Sequence, residues 1–429
     1  MVERPDIRSP RLAALASALA QGDGSALDAF WSEIAERGAP LIEPTEASGD
    51  DACLVTFVWR SAESLADVRI ISLITGLQDN AMTRLEGTDL WFRSCDVADD
   101  VRATYQFEPR SRADSIADDS MAARLARYRR DPLNPRTLVF PRDEEDPDGF
   151  ELVRSVLEMP NAAPQPWNGR RDAVPEGRLT LHRFRSRILD NERRVWVYTP
   201  AGHDPTRRAP YPLLVLFDGT GFVRMSPLTT ILDNLIDTGR VPPLVAVMPC
   251  SISHSIRFKE LVLHEPFNRF LVEELVPWSR ETLRATDEAK HVVVAGASAG
   301  GLAAAYAAFE HAVVFGNVLS MSGAFSLSPG MFRDGWSGEH EWLTRRIATE
   351  DRRDVRFILT AGTLETRSML DLGPAPSLVV ANRHLRTVLE AKGYDARLEE
   401  FPGGHDIISW QGSIPEALSW LLGDGPREP

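Results

Sequence analysis

Residues 291–302 read HVVVAGASAGGL, and the predicted fold class depends on this segment more than on any other. A short β-branched run leads into Gly296, Ser298 and Gly300, and an alanine-rich segment of helical character follows. A strand, a sharp turn with a serine at its apex and a helix form a nucleophile elbow, in which the serine is strained and the glycines let strand and helix approach closely. Ser298 is therefore the candidate nucleophile. The alternative is an ordinary glycine-rich connection with a solvated serine.

A serine hydroxyl is a poor nucleophile at its free pKa, so it needs a base within hydrogen-bond reach and a third group that orients the base. His405 is the candidate base. It lies in the glycine-rich segment FPGGHD at residues 401–406, directly after the last predicted strand. This is where a fold with a serine elbow presents its histidine.

The acid is expected between the serine and the histidine in chain order. Glu365 is the preferred candidate because it comes directly after a predicted strand and turn at residues 356–364. Asp371 and Asp406 are rival acids, although Asp406 adjoins the histidine and would have difficulty reaching its far nitrogen. Glu365 could also be solvated or paired with Arg367.

Acyl transfer also needs donors aimed at the developing oxyanion. One is expected from the backbone N–H of Ala299, the residue after the nucleophile. For the second we select Gly219 or Thr220, in the glycine loop FDGTG at residues 217–221 that follows a predicted strand. The alternative is an ordinary turn at a strand end.

The bulk composition limits the classes of function. A chain of 429 residues suits two domains, since single cores stop growing beyond roughly 250 to 300 residues. The net charge of -14 argues against a nucleic-acid partner, which would require clustered basic residues. An anionic ligand would likewise need locally placed arginines.

The three cysteines, Cys53, Cys95 and Cys250, lie far apart without C-x-x-C spacing, so neither a disulfide framework nor a zinc site is predicted. We expect no resident metal and no cofactor. No apolar run approaches the roughly 20 residues of a membrane span, and the N-terminal segment is interpreted as an amphipathic helix rather than an export signal. The expected location is cytoplasmic, without a membrane partner.

The sequence pattern predicts a domain boundary before the middle of the chain. Short β-rich runs separated by turns between residues 53 and 109 favour a small antiparallel β-sandwich, with helices flanking it. A stretch rich in Pro, Asn and Gly follows Pro160 and continues to Gly177, and we place the boundary there. The predicted domains are residues 1–170 and residues 171–429.

The second half alternates short apolar runs with helical segments, which is typical of strands buried on both faces. The predicted fold class is therefore α/β, an α/β-hydrolase domain with a mostly parallel sheet, with loops at the carboxyl ends of the strands available for chemistry. A hairpin is predicted around Asp190 and Asn191. The predicted strands of this series lie at residues 213–217, 244–248, 292–294, 318–321, 357–359 and 396–401.

The chain resembles the enterochelin (enterobactin) esterase family, ferric siderophore trilactone hydrolases of the esterase D type. Beside the elbow, the motifs of the catalytic half that carry this resemblance are VWV at 195–197, LFDG at 216–219, RFKEL at 257–261, SMSG at 320–323 and GGHD at 403–406. Those of the first half are more specific, because generic hydrolases lack such a domain: LEGTDLW at 85–91, YQF at 105–107, DPLN at 131–134 and LEMP at 157–160.

The resemblance implies cytoplasmic hydrolysis of the ester bonds of a ferric catecholate siderophore, with release of iron. It implies Ser298 as nucleophile, His405 as base and Glu365 as acid. It also places Arg257 as a cation near the catecholate ligand, the alternative being an ion pair with Glu260.

The pocket motifs depart from the family pattern. Where family members often carry paired aromatic residues, commonly tryptophans, residues 323–327 read GAFSL, so only Phe325 remains as an aromatic candidate for substrate binding. An insertion is also predicted around residues 373–376. The sequence therefore leaves two other interpretations: a carboxylesterase for another small ester or acylated metabolite, and a non-catalytic binding protein on a hydrolase scaffold.

Overall fold

A computed structural model describes residues 7–44, 51–61, 63–75, 80–112, 114, 121–146, 149–331, 338–366 and 375–423. The chain divides into two compact units. The smaller unit comprises Met1–Val139, Leu152–Ala163 and Pro402–Asp406, and the larger unit comprises Phe140–Glu151, Pro164–Phe401 and Ile407–Pro429. The predicted boundary near residue 170 stays a prediction. Across the described ranges, no helix combines the length and apolar character needed to cross a membrane.

The smaller unit contains two four-stranded sheets, with strand orders β1-β2-β5-β4 and β3-β6-β8-β7. Its helices are α1 (Pro10–Ala20), α2 (Ala26–Arg37) and α3 (Met121–Arg127), and its strands are β1 (Leu41–Pro44), β2 (Ala52–Arg60), β3 (Asp67–Ile71), β4 (Thr83–Arg84), β5 (Leu90–Ala98), β6 (Arg102–Arg110), β7 (Thr137–Phe140) and β8 (Leu152–Glu158).

Aromatic side chains join these two sheets. The rings of Phe57 on β2 and Tyr105 on β6 lie 4.8 Å apart between centroids, and those of Trp59 and Phe107 lie 5.2 Å apart. Neighbouring strands such as β2 with β5 and β3 with β6 run antiparallel. The predicted β-sandwich character is confirmed.

The DPLN motif of the first half has a structural role. The Tyr105 hydroxyl donates to Asp131 at 2.7 Å and accepts from the Asn134 amide at 3.0 Å, while the backbone N–H of Asp131 donates to Ser155 at 2.8 Å. Burial raises the pKa of Tyr105 well above its ordinary value, so the phenol stays protonated and able to donate. The motif therefore satisfies polar groups inside the smaller unit.

The larger unit is built on one eight-stranded sheet, with strand order β16-β15-β14-β13-β11-β12-β10-β9. Its strands are β9 (Arg178–Ser186), β10 (Asn191–Thr199), β11 (Leu213–Leu216), β12 (Val245–Pro249), β13 (Val292–Ala297), β14 (Asn317–Met321), β15 (Arg356–Gly362) and β16 (Ala396–Phe401). Its helices are α4 (Gly219–Met225), α5 (Leu228–Asp237), α6 (His254–Leu261), α7 (Glu265–Arg269), a π-helical turn (Phe270–Leu275), α8 (Val276–Leu283), a 3₁₀ turn (Ala289–His291), α9 (Ala299–Glu310), α10 (Trp342–Thr349), α11 (Leu378–Ala391) and α12 (Ile407–Leu422).

The pairings from β16 through β12 are parallel, and β10 pairs antiparallel with both β12 and the edge strand β9. This confirms the predicted α/β fold with a mostly parallel sheet, and the predicted hairpin corresponds to β9 and β10. Every residue of β13 is buried, as an apolar run covered on both faces requires. Because β11, β13, β14, β15 and β16 are parallel, their carboxyl ends lie at one edge of the sheet.

Candidate active site

Ser298 occupies a strained turn between β13 and α9. Its backbone has φ 59° and ψ -122°, a region that side-chain-bearing residues seldom adopt. The turn is held by hydrogen bonds on both sides: the Ser298 N–H donates to the carbonyl of Met321 at 2.9 Å, and the Ser298 carbonyl accepts from Ala324 at 3.0 Å. The local geometry is that of a nucleophile elbow. The role of the serine stays a prediction.

The glycines of the elbow are not equivalent. A Cβ on Gly296 would lie 2.5 Å from the backbone of Gly300. One on Gly301 would lie 2.5 Å from Ser320 Oγ and 3.0 Å from Cα of Gly323, so neither position accepts a side chain without a shift of its neighbours. A Cβ on Gly300 would meet the Asp218 carboxylate at 3.3 Å, which is a tight but less severe contact. Sequence reasoning emphasised Gly296 and Gly300, and it missed the packing requirement at Gly301.

The two predicted oxyanion donors begin helices that follow adjacent parallel strands. Ala299 is the first residue of α9 and Gly219 the first residue of α4, and N–H groups at these positions have no partner inside their own helix. The register pairs Leu216 of β11 with Ala295 of β13, so the two loops leave neighbouring strand ends. A Cβ on Gly219 would lie 2.2 Å from the Met248 carbonyl oxygen, and this contact excludes any other residue there.

The structure gives no comparable reason to prefer Thr220. Its hydroxyl donates to the Cys250 thiol at 3.1 Å and lies 3.4 Å from the Trp196 indole nitrogen. Burial raises the pKa of Cys250, which makes a neutral thiol the expected state. Gly219 remains the preferred second donor.

Asp218 pairs with Arg257, a partner that sequence reasoning did not find. The guanidinium of Arg257 donates from Nε and Nη2 to the two carboxylate oxygens of Asp218, each at 2.7 Å. Asp218 itself has φ 59° and ψ 42°. The sequence feature that could have indicated Asp218 as the partner of Arg257 is an acidic residue between a buried strand and a glycine loop.

The alternative prediction, an ion pair between Arg257 and Glu260, is wrong. Glu260 instead accepts two hydrogen bonds from Arg193, at 2.6 and 3.1 Å, and both of these side chains are buried. Burial lowers the pKa of Arg257, but the charge and hydrogen bonds of Asp218 raise it by more, so the guanidinium stays charged. A ligand-binding role for Arg257 stays a prediction.

Glu365 lies just after the carboxyl end of β15 and is fully buried. Its carboxylate accepts from the backbone N–H of Gly362 at 3.1 Å, and its own N–H donates to the Gly362 carbonyl at 3.0 Å. A buried carboxylate at this edge of the sheet fits the predicted triad acid, whose role stays a prediction. The rival Asp371 lies outside the described residues.

The other rival, Asp406, is bonded within the smaller unit. Its carboxylate accepts from both the backbone N–H and the hydroxyl of Thr104, each at 3.2 Å. The segment Pro402–Asp406 belongs to the smaller unit, and the Arg102 N–H donates to the Pro402 carbonyl at 3.0 Å. His405 lies in this segment and is partly buried. Its role as base stays a prediction.

Phe325 is fully buried in the core of the larger unit. Its ring carbons lie 2.4 and 2.7 Å from where a Cβ on Gly323 would be, so it packs beneath the turn that follows β14. Burial of this kind is typical of a core residue. Its predicted contact with substrate stays a prediction that the burial does not support.

The chain is similar to known esterases along most of its length. A family model described as a putative esterase matches residues 186–421, and one described as the N-terminal domain of enterochelin esterase matches residues 54–168. The iron(III) enterobactin esterase of Dickeya dadantii (strain 3937) is 30% identical over 436 residues, covering 93% of this chain and 94% of that protein. The chain belongs to the iron(III) enterobactin esterase family.

Solved structures agree with the family assignment. The ferric enterobactin esterase of Salmonella typhimurium is 26% identical, with a TM-score of 0.74, covering 92% of this chain and 98% of that one. The enterobactin esterase of Shigella flexneri, crystallised in the presence of enterobactin, is 27% identical, with a TM-score of 0.71 and coverages of 90% and 96%. The predicted resemblance to the enterobactin esterase family is thereby confirmed over both halves of the chain.

Proposed function

We propose that this chain hydrolyses the ester bonds of a ferric catecholate siderophore, with Ser298 as nucleophile. The observation that carries the proposal is the strained serine at the carboxyl end of β13, in a chain that belongs to the enterobactin esterase family. The Shigella flexneri enterobactin esterase has been crystallised in the presence of enterobactin and of 2,3-dihydroxy-N-benzoyl-serine. We also propose that the reaction takes place in the cytoplasm.

In the proposed mechanism, Ser298 Oγ attacks an ester carbonyl while His405 accepts its proton. The negative charge that develops on the carbonyl oxygen is stabilised by the N–H groups of Ala299 and Gly219. Glu365 orients the imidazole and stabilises its charged form. Collapse of the tetrahedral intermediate breaks the ester C–O bond, and His405 returns the proton to the leaving hydroxyl. Water then repeats these steps, releasing the carboxylate product and restoring the serine.

Labelling with a fluorophosphonate tests the nucleophile directly. We expect one equivalent of probe on Ser298, and no label on Ser298→Ala. That variant should lose about 10⁴- to 10⁶-fold in kcat, as removal of a nucleophile does in other serine hydrolases, with little change in melting temperature. Ser32→Ala, at an exposed serine on α2 of the smaller unit, is a control that should retain both label and activity. Absence of label on the folded wild-type protein would favour the non-catalytic binding protein.

A second candidate, a carboxylesterase for another small ester, is favoured by two specific observations. Phe325 is buried in the core, and the charge of Arg257 is compensated by Asp218. Comparison of kcat/KM for a ferric catecholate lactone, its metal-free form and p-nitrophenyl acyl esters separates the two candidates. The siderophore proposal expects preference for the ferric lactone and release of 2,3-dihydroxybenzoylserine, detected by chromatography. Brisk turnover of the p-nitrophenyl esters alone would replace it with the second candidate.

A further inference from the structure

The ion pair of Asp218 and Arg257 contacts the elbow on both sides of Ser298. The Asp218 carboxylate lies against Gly300, at 3.3 Å from the position of a Cβ there. Arg257 Nη2 lies 3.5 Å from the carbonyl oxygen of Ala297. Asp218 also directly precedes Gly219, the preferred second oxyanion donor. This ion pair therefore contacts the turn that carries Ser298, and one of its members, Asp218, belongs to the same loop as Gly219.

Arg257 projects from a helix that is itself fixed. Glu260, three residues later on α6, forms the buried ion pair with Arg193, whose guanidinium lies 4.8 Å from the ring centroid of Phe270. The N-cap hydroxyl of Ser253 accepts from the N–H of Ile256 at 3.3 Å. Because α6 is capped at its first turn and ion-paired near its last, it holds the backbone of Arg257 in a fixed position.

We propose that Arg257 is a positioning residue that acts through Asp218 to hold the oxyanion loop, residues 218–220, and that it is not the cation that binds the siderophore. The proposal depends on the proposed function only for the reaction, ester hydrolysis at Ser298. It does not depend on which ester is the substrate.

The backbone geometry explains why such a restraint is useful. Asp218 has a left-handed conformation, which is uncommon for residues other than glycine, although aspartate is among the more tolerant. The planar guanidinium matches both carboxylate oxygens at once, so it fixes the orientation of the side chain as well as its position. Without it, the loop can relax and displace the Gly219 N–H. A displacement of about 1 Å at a catalytic group can lower a rate about 100-fold.

Charge compensation argues against direct ligand binding. The Arg257 and Asp218 side chains are only 19% and 20% exposed. An anionic ligand that recruited Arg257 would have to displace Asp218 and leave its carboxylate unpaired in a poorly solvated position, which is costly. A neutral ester would be indifferent to this competition. The two roles of Arg257 therefore predict different kinetics.

The test measures kcat and KM for Asp218→Asn, Arg257→Gln and the double variant, with p-nitrophenyl acetate and a ferric catecholate lactone as substrates. A positioning role predicts that each single variant lowers kcat about 10- to 100-fold on both substrates, while KM stays within about twofold. Because both changes break the same interaction, their effects should not add. The kcat of the double variant should lie within about threefold of that of the slower single variant. Affinity for a trifluoromethyl ketone should fall in step with kcat/KM.

Two further variants keep the result interpretable. Arg269→Gln breaks an exposed ion pair with Glu273 and should leave kcat within about twofold of wild type. If Arg257→Gln or the double variant fails to fold, Arg257→Lys takes its place. Lysine retains the charge but cannot bind both carboxylate oxygens of Asp218 at once, so this variant should still lower kcat. Melting temperature and circular dichroism establish that each assayed variant is folded, and affinity for the ketone reports on the oxyanion site specifically.

The inference is overturned if Arg257→Gln raises KM for the ferric lactone alone and leaves kcat on the neutral ester unchanged. It is also overturned if Asp218→Asn has wild-type kcat on p-nitrophenyl acetate. Failure of the proposed function has a different signature. A wild-type enzyme that turns over the neutral ester but not the ferric lactone would remove the siderophore as substrate and leave the role of Arg257 to be decided by the same kinetics.

Discussion

The loop that carries Ser298 and the loop that carries His405 are held in different ways. The serine turn is fixed by backbone hydrogen bonds to the neighbouring strand β14 and by glycines that leave no room for side chains. The histidine segment, residues 402–406, is fixed by contacts with β6 of the smaller unit, including those from Thr104 to Asp406. The serine turn therefore depends on backbone packing, and a change there should abolish activity abruptly. The histidine segment depends on one backbone bond to Arg102 and on the Asp406 side chain, so single changes there should lower activity gradually.

The largest effect is expected from Gly296→Ala. The added Cβ would lie 2.5 Å from the Gly300 backbone, so strand and helix must separate and the turn must change. We expect kcat to fall at least about 1,000-fold and the free energy of unfolding to fall by about 1–3 kcal/mol, the usual cost of overpacking. Activity assays and urea denaturation measure both quantities.

Gly169→Ala is the control for this change, because a Cβ added there would have no neighbouring atom within 4 Å. It should alter stability by no more than about 0.5 kcal/mol, as surface substitutions usually do. A Gly296→Ala protein with wild-type kcat would show that the serine turn tolerates side chains and would remove the contrast between the two loops.

An intermediate effect is expected from Gly219→Ala. Its Cβ would lie 2.2 Å from the Met248 carbonyl oxygen, so the oxyanion loop must shift away from the strand. We expect kcat to fall about 100- to 1,000-fold, comparable to the loss of one oxyanion donor. Gly221→Ala, two residues later in α4, is the matched control, since its Cβ would meet only the flexible end of Met225 at 3.2 Å. Equal kcat values for the two variants would argue against Gly219 as a donor.

The smallest effect is expected from Thr104→Val. The change removes the hydroxyl that donates to Asp406 but leaves the backbone N–H bond, at the same 3.2 Å. Loss of one hydrogen bond should lower the free energy of unfolding by about 1 kcal/mol. Because Asp406 is next to His405, the predicted base, we also expect kcat to fall severalfold.

Thr56→Val separates these two consequences. Thr56 also forms a single side-chain hydrogen bond in the smaller unit, at 2.8 Å to Ser94. We expect a stability loss similar to that of Thr104→Val, about 1 kcal/mol, with kcat unchanged. If the two variants have the same kcat, the contact of Thr104 with Asp406 has no bearing on the histidine.

Several features could be predicted because they depend on near neighbours in the chain. The β-branched run, the glycines and the serine of residues 292–301 each meet a requirement of the strand-turn-helix unit that they form. Apolar runs separated by helical segments predict a buried parallel sheet for the same reason. Close alternation of strands and turns likewise predicted the β-sandwich of the smaller unit.

Other features could not be predicted from local pattern. Phe325 was expected to face a ligand, but an aromatic residue after a turn has the same sequence signature whether it packs outward or into the core, as it does here. For Arg257, the sequence leaves an ion pair with Glu260, three residues away, as the alternative to ligand binding. The structure instead pairs each with a residue from a distant strand or loop.

The sheet, the serine turn and the family can be predicted from the sequence, because local backbone preferences and the spacing of apolar residues can be recognised within short segments of the chain. The pairing of charged side chains follows only from the folded structure. Asp218 and Arg257 are 39 residues apart, and Thr104 and Asp406 are 302 residues apart. A charged side chain takes the partner that folding brings within reach, and no local pattern specifies which distant segment that will be.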